Sequence, residues 1–259
     1  MTEIPAEFVS KIPILVLTII LILLSAAFAR RFGLGRDISL AGTRALIQIL
    51  ILASIILLLF ELSIYWSILM LLAMAAIAGH TTYTRSGKLE KGLPMSIMSI
   101  VLASVLLLTP FFLLKIFPLE ARYLIPTGSI FIGNAMNISS LAIDRYRGEI
   151  RNRRNEIEAY LALGATPKMA TAACLTQGIN SALIPSIDNM KNLGLVWIPG
   201  VMTGLLLGGA DPLEAASIQI ALFTSIMAAG MLASSLLLHF STESFFTGAW
   251  QLRDDFEWD

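Results

Sequence analysis

Four groups of residues in this chain have types and spacings that could do chemistry. The first is the stretch EIEAYLALGATPKMA, Glu156 to Ala170, the polar interruption of an apolar chain. The second is Asn134, Met136 and Asn137, then Ser139 and Ser140, where Asn134, Asn137 and Leu141, three and four apart, make a half-polar stripe with Asp144 below it. The third pairs Arg44 with Gln48, four residues apart. The fourth is Asp188, Asn189 and Lys191. None resembles covalent or acid–base machinery. The single Cys174 and the two histidines, His80 and His239, rule out a disulfide framework and a Cys/His zinc site within one chain. No H-E-x-x-H or clustered Asp supports an enzyme in the membrane. Ser86-Gly87-Lys88-Leu89 is the nearest approach to a phosphate loop, but it lacks the earlier Gly and the hydroxyl after Lys.

The elements that must position these residues are membrane helices. Hydrophobic residues make up 56% and charged residues 14% of the 259, against roughly 45–50% and about 25% in soluble domains. The apolar residues run in blocks long enough to cross a hydrocarbon core, which takes roughly 20 residues per helix. The reading is an all-α, polytopic membrane protein of about seven spans, a single domain over 1–259. The expected spans are Ile12–Ala29, Ile38–Leu59, Ile64–Gly79, Leu93–Leu114, Leu124–Ile143, Leu193–Gly209 and Leu213–Phe240. The first ends in an A-x-A pattern, yet Glu3 and Glu7 oppose a signal peptide, and it is read as retained.

Basic residues set the orientation. Counting Lys191 with the loop 144–192, 14 Lys and Arg fall on one side, and Lys11, Lys115 and Arg122 on the other. The expectation is an N-terminus outside, a C-terminus in the cytoplasm, and a cytoplasmic segment from Asp144 to Asn192. Localisation is the plasma (inner) membrane.

Within that segment, Ile150, Ile157, Leu161 and Gly164 share a face while charged residues take the others. Gly164 suits a helix C-terminus that needs positive φ, Thr166 an N-cap, and Pro167 a first helical position. The result is a helix, a sharp turn and a second helix. In the spans, the Asn134, Asn137 and Asp144 stripe either lines a solute path or bonds neighbouring helices. Pro199 and Gly200, with Gly204 and Gly208 at i+4 steps, mark close helix packing, within the subunit or at a dimer seam, or else a hinge. Arg44 either snorkels to the headgroups or pairs with Asp37 or Asp144. Asp188, Asn189 and Lys191 are expected at the cytosolic mouth, where a turn after Pro185 explains them equally well. The methionines at helical spacing read as packing.

Glu158-Ala159-Tyr160, three residues and Gly164 resemble the EAA-x3-G signature of ABC-transporter permeases, with Tyr160 in place of an Ala. The blocks IGNAMN (132–137), LALGATPKMA (161–170) and ALIPSIDNMKNLGLVWIPGVMTGLLLGGADP (182–212), with Arg36, Asp37, Arg44 and Gln48 upstream, resemble the FetB-type permeases. These are bacterial iron-export permeases with plant relatives linked to aluminium tolerance. The resemblance implies a coupling element at Glu158, Ala159, Leu161, Gly164, Ala165, Thr166 and Pro167, seated on a separate ATPase. It also implies two copies of this chain and two ATPase subunits, with ATP and magnesium held by the partner and no cofactor or nucleic acid bound here. Iron export is the implied activity. The residues themselves show no cation path, and a channel or secondary transporter stays open as the alternative.

Overall fold

The computed structural model describes residues 12–87, 89 and 91–253, with the side chains of Ile12 and Leu57 left aside. Glu3, Glu7, Lys11 and Lys88, used in the sequence reading, lie outside the described residues. The chain forms two compact units, 1–62 and 63–259.

The N-terminal unit is a helical hairpin. Helix α1 (Ile12–Ala29) leads through a 3-10 turn at Arg30–Phe32 into α2 (Gly35–Glu61). Gly33 closes the turn at φ 76°, and Gly42 packs under Ile22. Arg44 and Gln48 occupy exposed positions of α2.

The C-terminal unit contains α3 (Ile64–Arg85), α4 (Gly92–Leu113), α5 (Ala121–Asn152), α6 (Arg154–Ala162), α7 (Pro167–Ala170), α8 (Ala172–Lys191), α9 (Gly200–Leu207) and α10 (Pro212–Ser241). A 3-10 turn, Thr242–Phe245, follows α10. Five described helical stretches are long and apolar enough to cross a membrane: Pro13–Phe32, Gly35–Glu61, Ile64–Arg85, Gly92–Leu113 and Pro212–Phe245.

Helix α5 is the axis of this unit. It packs against α3, α4, α8 and α10. Small residues allow this: Leu71 lies over Gly128, Ile138 fills the notch at Gly230, and Thr82 and Ser140 hydroxyls meet at 3.0 Å. Ala75, Ala103, Ala135 and Ala233 form the middle layer of the core. An aromatic layer of Phe111, Phe117 and Phe131 closes one end. Tyr146, Ile150, Ile157, Phe245 and Leu252 fill the other, the basic end.

The sixth expected span is corrected. Leu193–Gly209 is not one helix; only Gly200–Leu207 is helical, eight residues or about 12 Å. The long element there is α8, 20 residues, drawn from the stretch expected in the cytosol. It runs straight through Pro185 with no turn. Gly178 lies against the backbone of Ala142 and Tyr146, and Ser186 shares a cleft with Ile130 and Asn134. So α8 climbs antiparallel along α5 from the basic end. Within 144–192 the structure thus shows the end of α5, the short helices α6 and α7, and the long helix α8.

Candidate functional site

The corner between α5 and α8 follows from local chemistry. Helix α6 ends in a Schellman closure: Ala165 N–H donates to Tyr160 O at 3.0 Å and Gly164 N–H to Leu161 O at 2.9 Å. That closure needs a left-handed residue, and Gly164 supplies it at φ 91°. Thr166 then caps α7, its hydroxyl accepting from Met169 N–H at 3.4 Å, and Pro167 takes the first helical position.

The base of the corner is anchored and its tip is bare. Ile157 and Pro167 are buried, and Leu161 packs beside the basic-end core. Tyr146 hydroxyl donates to Thr171 Oγ1 and meets Thr242 Oγ1, each at 3.0 Å, tying α5, the start of α8 and the end of α10 together. Outside, Arg153 pairs with Glu149 at 3.1 Å, Arg154 with Glu158 at 2.8 Å, and Lys168 with Glu243 at 3.2 Å. The tip presents Leu163 and Met169, 86% and 69% exposed, with Tyr160 beside them. Apolar side chains bared in a charged segment suit a partner protein. A groove of about 590 Å3 runs beside the corner between Arg154, Glu158 and Leu161 and the tail residues Trp250 and Leu252.

Depth in the membrane is read along α5. It is enclosed by the apolar helices α3, α4 and α10, so it lies in the same slab. At about 1.5 Å per residue, Arg122 and Asp144 are about 33 Å apart, matching a hydrocarbon core of about 30 Å. By its packing on α5, α8 carries Asp188 away from the basic end. Asp188, Asn189 and Lys191 are in the last turn of α8, at its end away from Tyr146. Lys191 Nζ and Asp188 Oδ1 are 3.3 Å apart, with side chains 69% and 57% exposed.

On α5, Asn137 and Asp144 are exposed, Asn134 is half-buried and donates to Ile130 O at 3.1 Å, and Met136 packs into the middle layer. Asn134 thus meets Ser186 across a cleft of about 180 Å3, while Met136 turns away from it. Arg44 and Gln48 belong to the other unit. Among the described residues a side chain at Gly200 or Gly204 would meet nothing within 4 Å, so the close-packing partner expected within the subunit is not seen, and the dimer-seam and hinge readings stand as they were. Pro199 is the N-cap of α9 and Gly208 its C-cap.

The chain matches the uncharacterised protein family UPF0014 over residues 12–246. It belongs to that family. The rice UPF0014 membrane protein STAR2 (Oryza sativa subsp. japonica) is 34% identical over 243 residues, 93% of this chain and 85% of the relative. YjkA, a UPF0014 membrane protein of Bacillus subtilis, is 34% identical over 247 residues, 92% and 97% of the two chains. The Escherichia coli protein described as a probable iron export permease, FetB, is 28% identical over 239 residues, 92% of each. No solved structure matches significantly. The UPF0014 chain described here is thus a multi-pass membrane protein of a permease family.

Three features escape sequence reading. Gln219, buried on α10, accepts Met202 N–H at 3.1 Å and so caps α9 from another helix. The C-terminal tail, with Phe245, Phe246 and Leu252 buried, forms part of the corner's base. Helix α8 exposes Thr176, Gln177, Asn180 and Asp188 together with Ile184 and Ile187; the apolarity of 170–185 suits a helix end dipping toward the membrane, and the full helix to Lys191 is what the sequence does not show.

Proposed function

We propose that this chain is the membrane-spanning subunit of an ABC exporter, energised by a separate ATPase that seats on the corner from Glu158 to Pro167. The observation that carries the reading is the apolar tip, Leu163 and Met169, on a short, ion-paired and buried base. A stiff corner fused to both α5 and α8 would turn the motion of a bound lobe into tilting of those helices. Two copies with two motors form the working unit, and ATP and magnesium belong to the motors. The corner then faces the cytoplasm, as the basic residues around it favour. The cargo is iron or another metal or small solute, a reading supported by the description of FetB. Among the described residues no group of three or more His, Cys, Asp and Glu could hold a metal ion. A metal cargo would therefore pass as a complex or use donors from two copies.

The test is gentle solubilisation of tagged protein and identification of what co-purifies. A stoichiometric P-loop ATPase, lost when Glu158 and Gly164 are both altered, supports the proposal. A single-component oligomer from intact membranes overturns it. The second reading is an ATP-independent channel or secondary transporter, for which the exposed Asp188–Lys191 pair of α8 is the charged candidate. Transport that persists without ATP and collapses with the ion gradient would establish it.

A further inference from the structure

A cleft of about 180 Å3 opens between four elements of the C-terminal unit: α5 with Asn134, α8 with Ser186, the start of α9 with Gly200 and Val201, and α10 with Gln219. Its walls are apolar, Trp197, Phe223 and Ile226 among them, and no charged side chain of the described residues lines it. The polar groups left over there are mostly donors. Pro199 caps α9 without a side-chain hydrogen bond, and Thr203 N–H donates to Pro199 O at 2.9 Å. Met202 N–H is taken by Gln219 Oε1 at 3.1 Å. Gly200 and Val201 N–H, the first two of the helix, donate to nothing among the described residues. Gln219 is only 5% exposed. Because its oxygen faces Met202, its amide hydrogens are presented elsewhere, and Nε2 donates to nothing among the described residues. A donor buried and left unmet is costly, so this amide calls for an occupant of the cleft.

We infer that this cleft binds a small organic monocarboxylate, with its carboxylate on the α9 N-terminus and the Gln219 amide and its apolar body against Trp197, Phe223 and Ile226. The backbone N–H groups of Gly200 and Val201 and the Gln219 amide hydrogens match the acceptor oxygens of one carboxylate. The positive end of the α9 dipole favours an anion over a neutral amide of the same shape. Asn134 Nδ2 donates to Ile130 O at 3.1 Å, which leaves its Oδ1 and the Ser186 hydroxyl for a polar substituent on the body. With no Arg or Lys in the lining, a second carboxylate would find no counter-charge, and with no Asp or Glu a cation would find none either. The site does not rest on the exporter reading. Under that reading a carboxylate compound is the class of cargo, and a metal would travel as its chelate.

The test is isothermal titration of the full chain in lipid nanodiscs at neutral pH, with benzoate as the probe and benzamide and benzylamine as its neutral and cationic counterparts. Empty nanodiscs give the background from partition into lipid. The expected result is saturable binding of benzoate, tighter than benzamide by about 5-fold or more, and no binding of benzylamine. Gln219→Glu keeps an acceptor for Met202 N–H but puts oxygen where the amide donors stood. It should weaken benzoate about 10-fold or more. Gly200→Pro removes one N–H at the first helical position, where proline is accepted, Pro199 before it is already extended, and a side chain meets nothing within 4 Å. It should weaken benzoate about 2–10-fold, and it keeps the test open if Gln219→Glu does not accumulate. Absence of saturable benzoate binding, benzamide binding as tightly as benzoate, or affinity unchanged in the variants overturns the inference. The titration needs no motor, so a failed ATPase co-purification leaves the site standing, and a failed titration leaves the exporter reading standing.

Discussion

Replacing Gly164 isolates the mechanical role of the corner. The residue sits at φ 91°, and a Cβ built there meets nothing within 4 Å. Any penalty is therefore conformational rather than steric. A side chain in the left-handed region costs about 1–2 kcal/mol, which lowers the population of the closed turn roughly 5–30-fold relative to its opening. The two hydrogen bonds of the closure, from Gly164 and Ala165 N–H, are lost together when it opens. Asn tolerates this region better than Ala, and β-branched Val is the worst of the three. Membrane insertion should be unchanged, because the apolar helices are untouched. Co-purifying ATPase, and transport per ATP hydrolysed in reconstituted vesicles, should fall in the order Gly, Asn, Ala, Val. A Gly164→Val protein with the coupling of the parent would refute the reasoning. Equal losses for Asn and Val would show that space, not φ, governs the turn.

The core offers three further tests. Gly178→Leu should drive α8 off α5, because its Cβ would lie 3.1 Å from Tyr146 N and 3.2 Å from Ala142 O, atoms of backbone that cannot yield; overpacking of this kind costs about 1–3 kcal/mol, read as a lower melting temperature in detergent. Gln219→Leu leaves Met202 N–H without its acceptor and should cost about 1–3 kcal/mol, with faster hydrogen exchange confined to the start of α9. Tyr146→Phe removes the hydroxyl between Thr171 and Thr242 and should lower thermal stability by about 1–3 kcal/mol. Glu243→Ala, in contrast, breaks a pair whose side chains are 47% and 72% exposed and should change stability by less than about 1 kcal/mol.

The apolar helices were legible because hydropathy belongs to each side chain wherever it lies. Ile12–Ala29 and Ile64–Arg85 begin where the sequence places them, and α10 departs by one residue at each end, from Leu213–Phe240 to Pro212–Ser241. The corner was legible too. Gly164, Thr166 and Pro167 each answer a backbone need met within four residues, and the geometry uses them accordingly. Helix α8 was legible only in part. The apolarity of 170–185 suggests a helix end dipping toward the membrane, while its full length to Lys191 and its packing along the core show only in the structure, where Gly178 meets the α5 backbone.

The sequence by itself thus determined an all-α membrane protein, its apolar helices and a sharp polar corner, since these depend on side-chain chemistry and neighbours a few residues away. Tertiary structure alone decided the packing of α8 along α5, the break before α9 and the burial of Phe245, Phe246 and Leu252 beneath the corner. Each depends on partners distant in the chain, Asn134 for Ser186, Gln219 for Met202 and Ile157 for the tail. Periodicity reports which face of a helix is polar; only packing reports what that face meets.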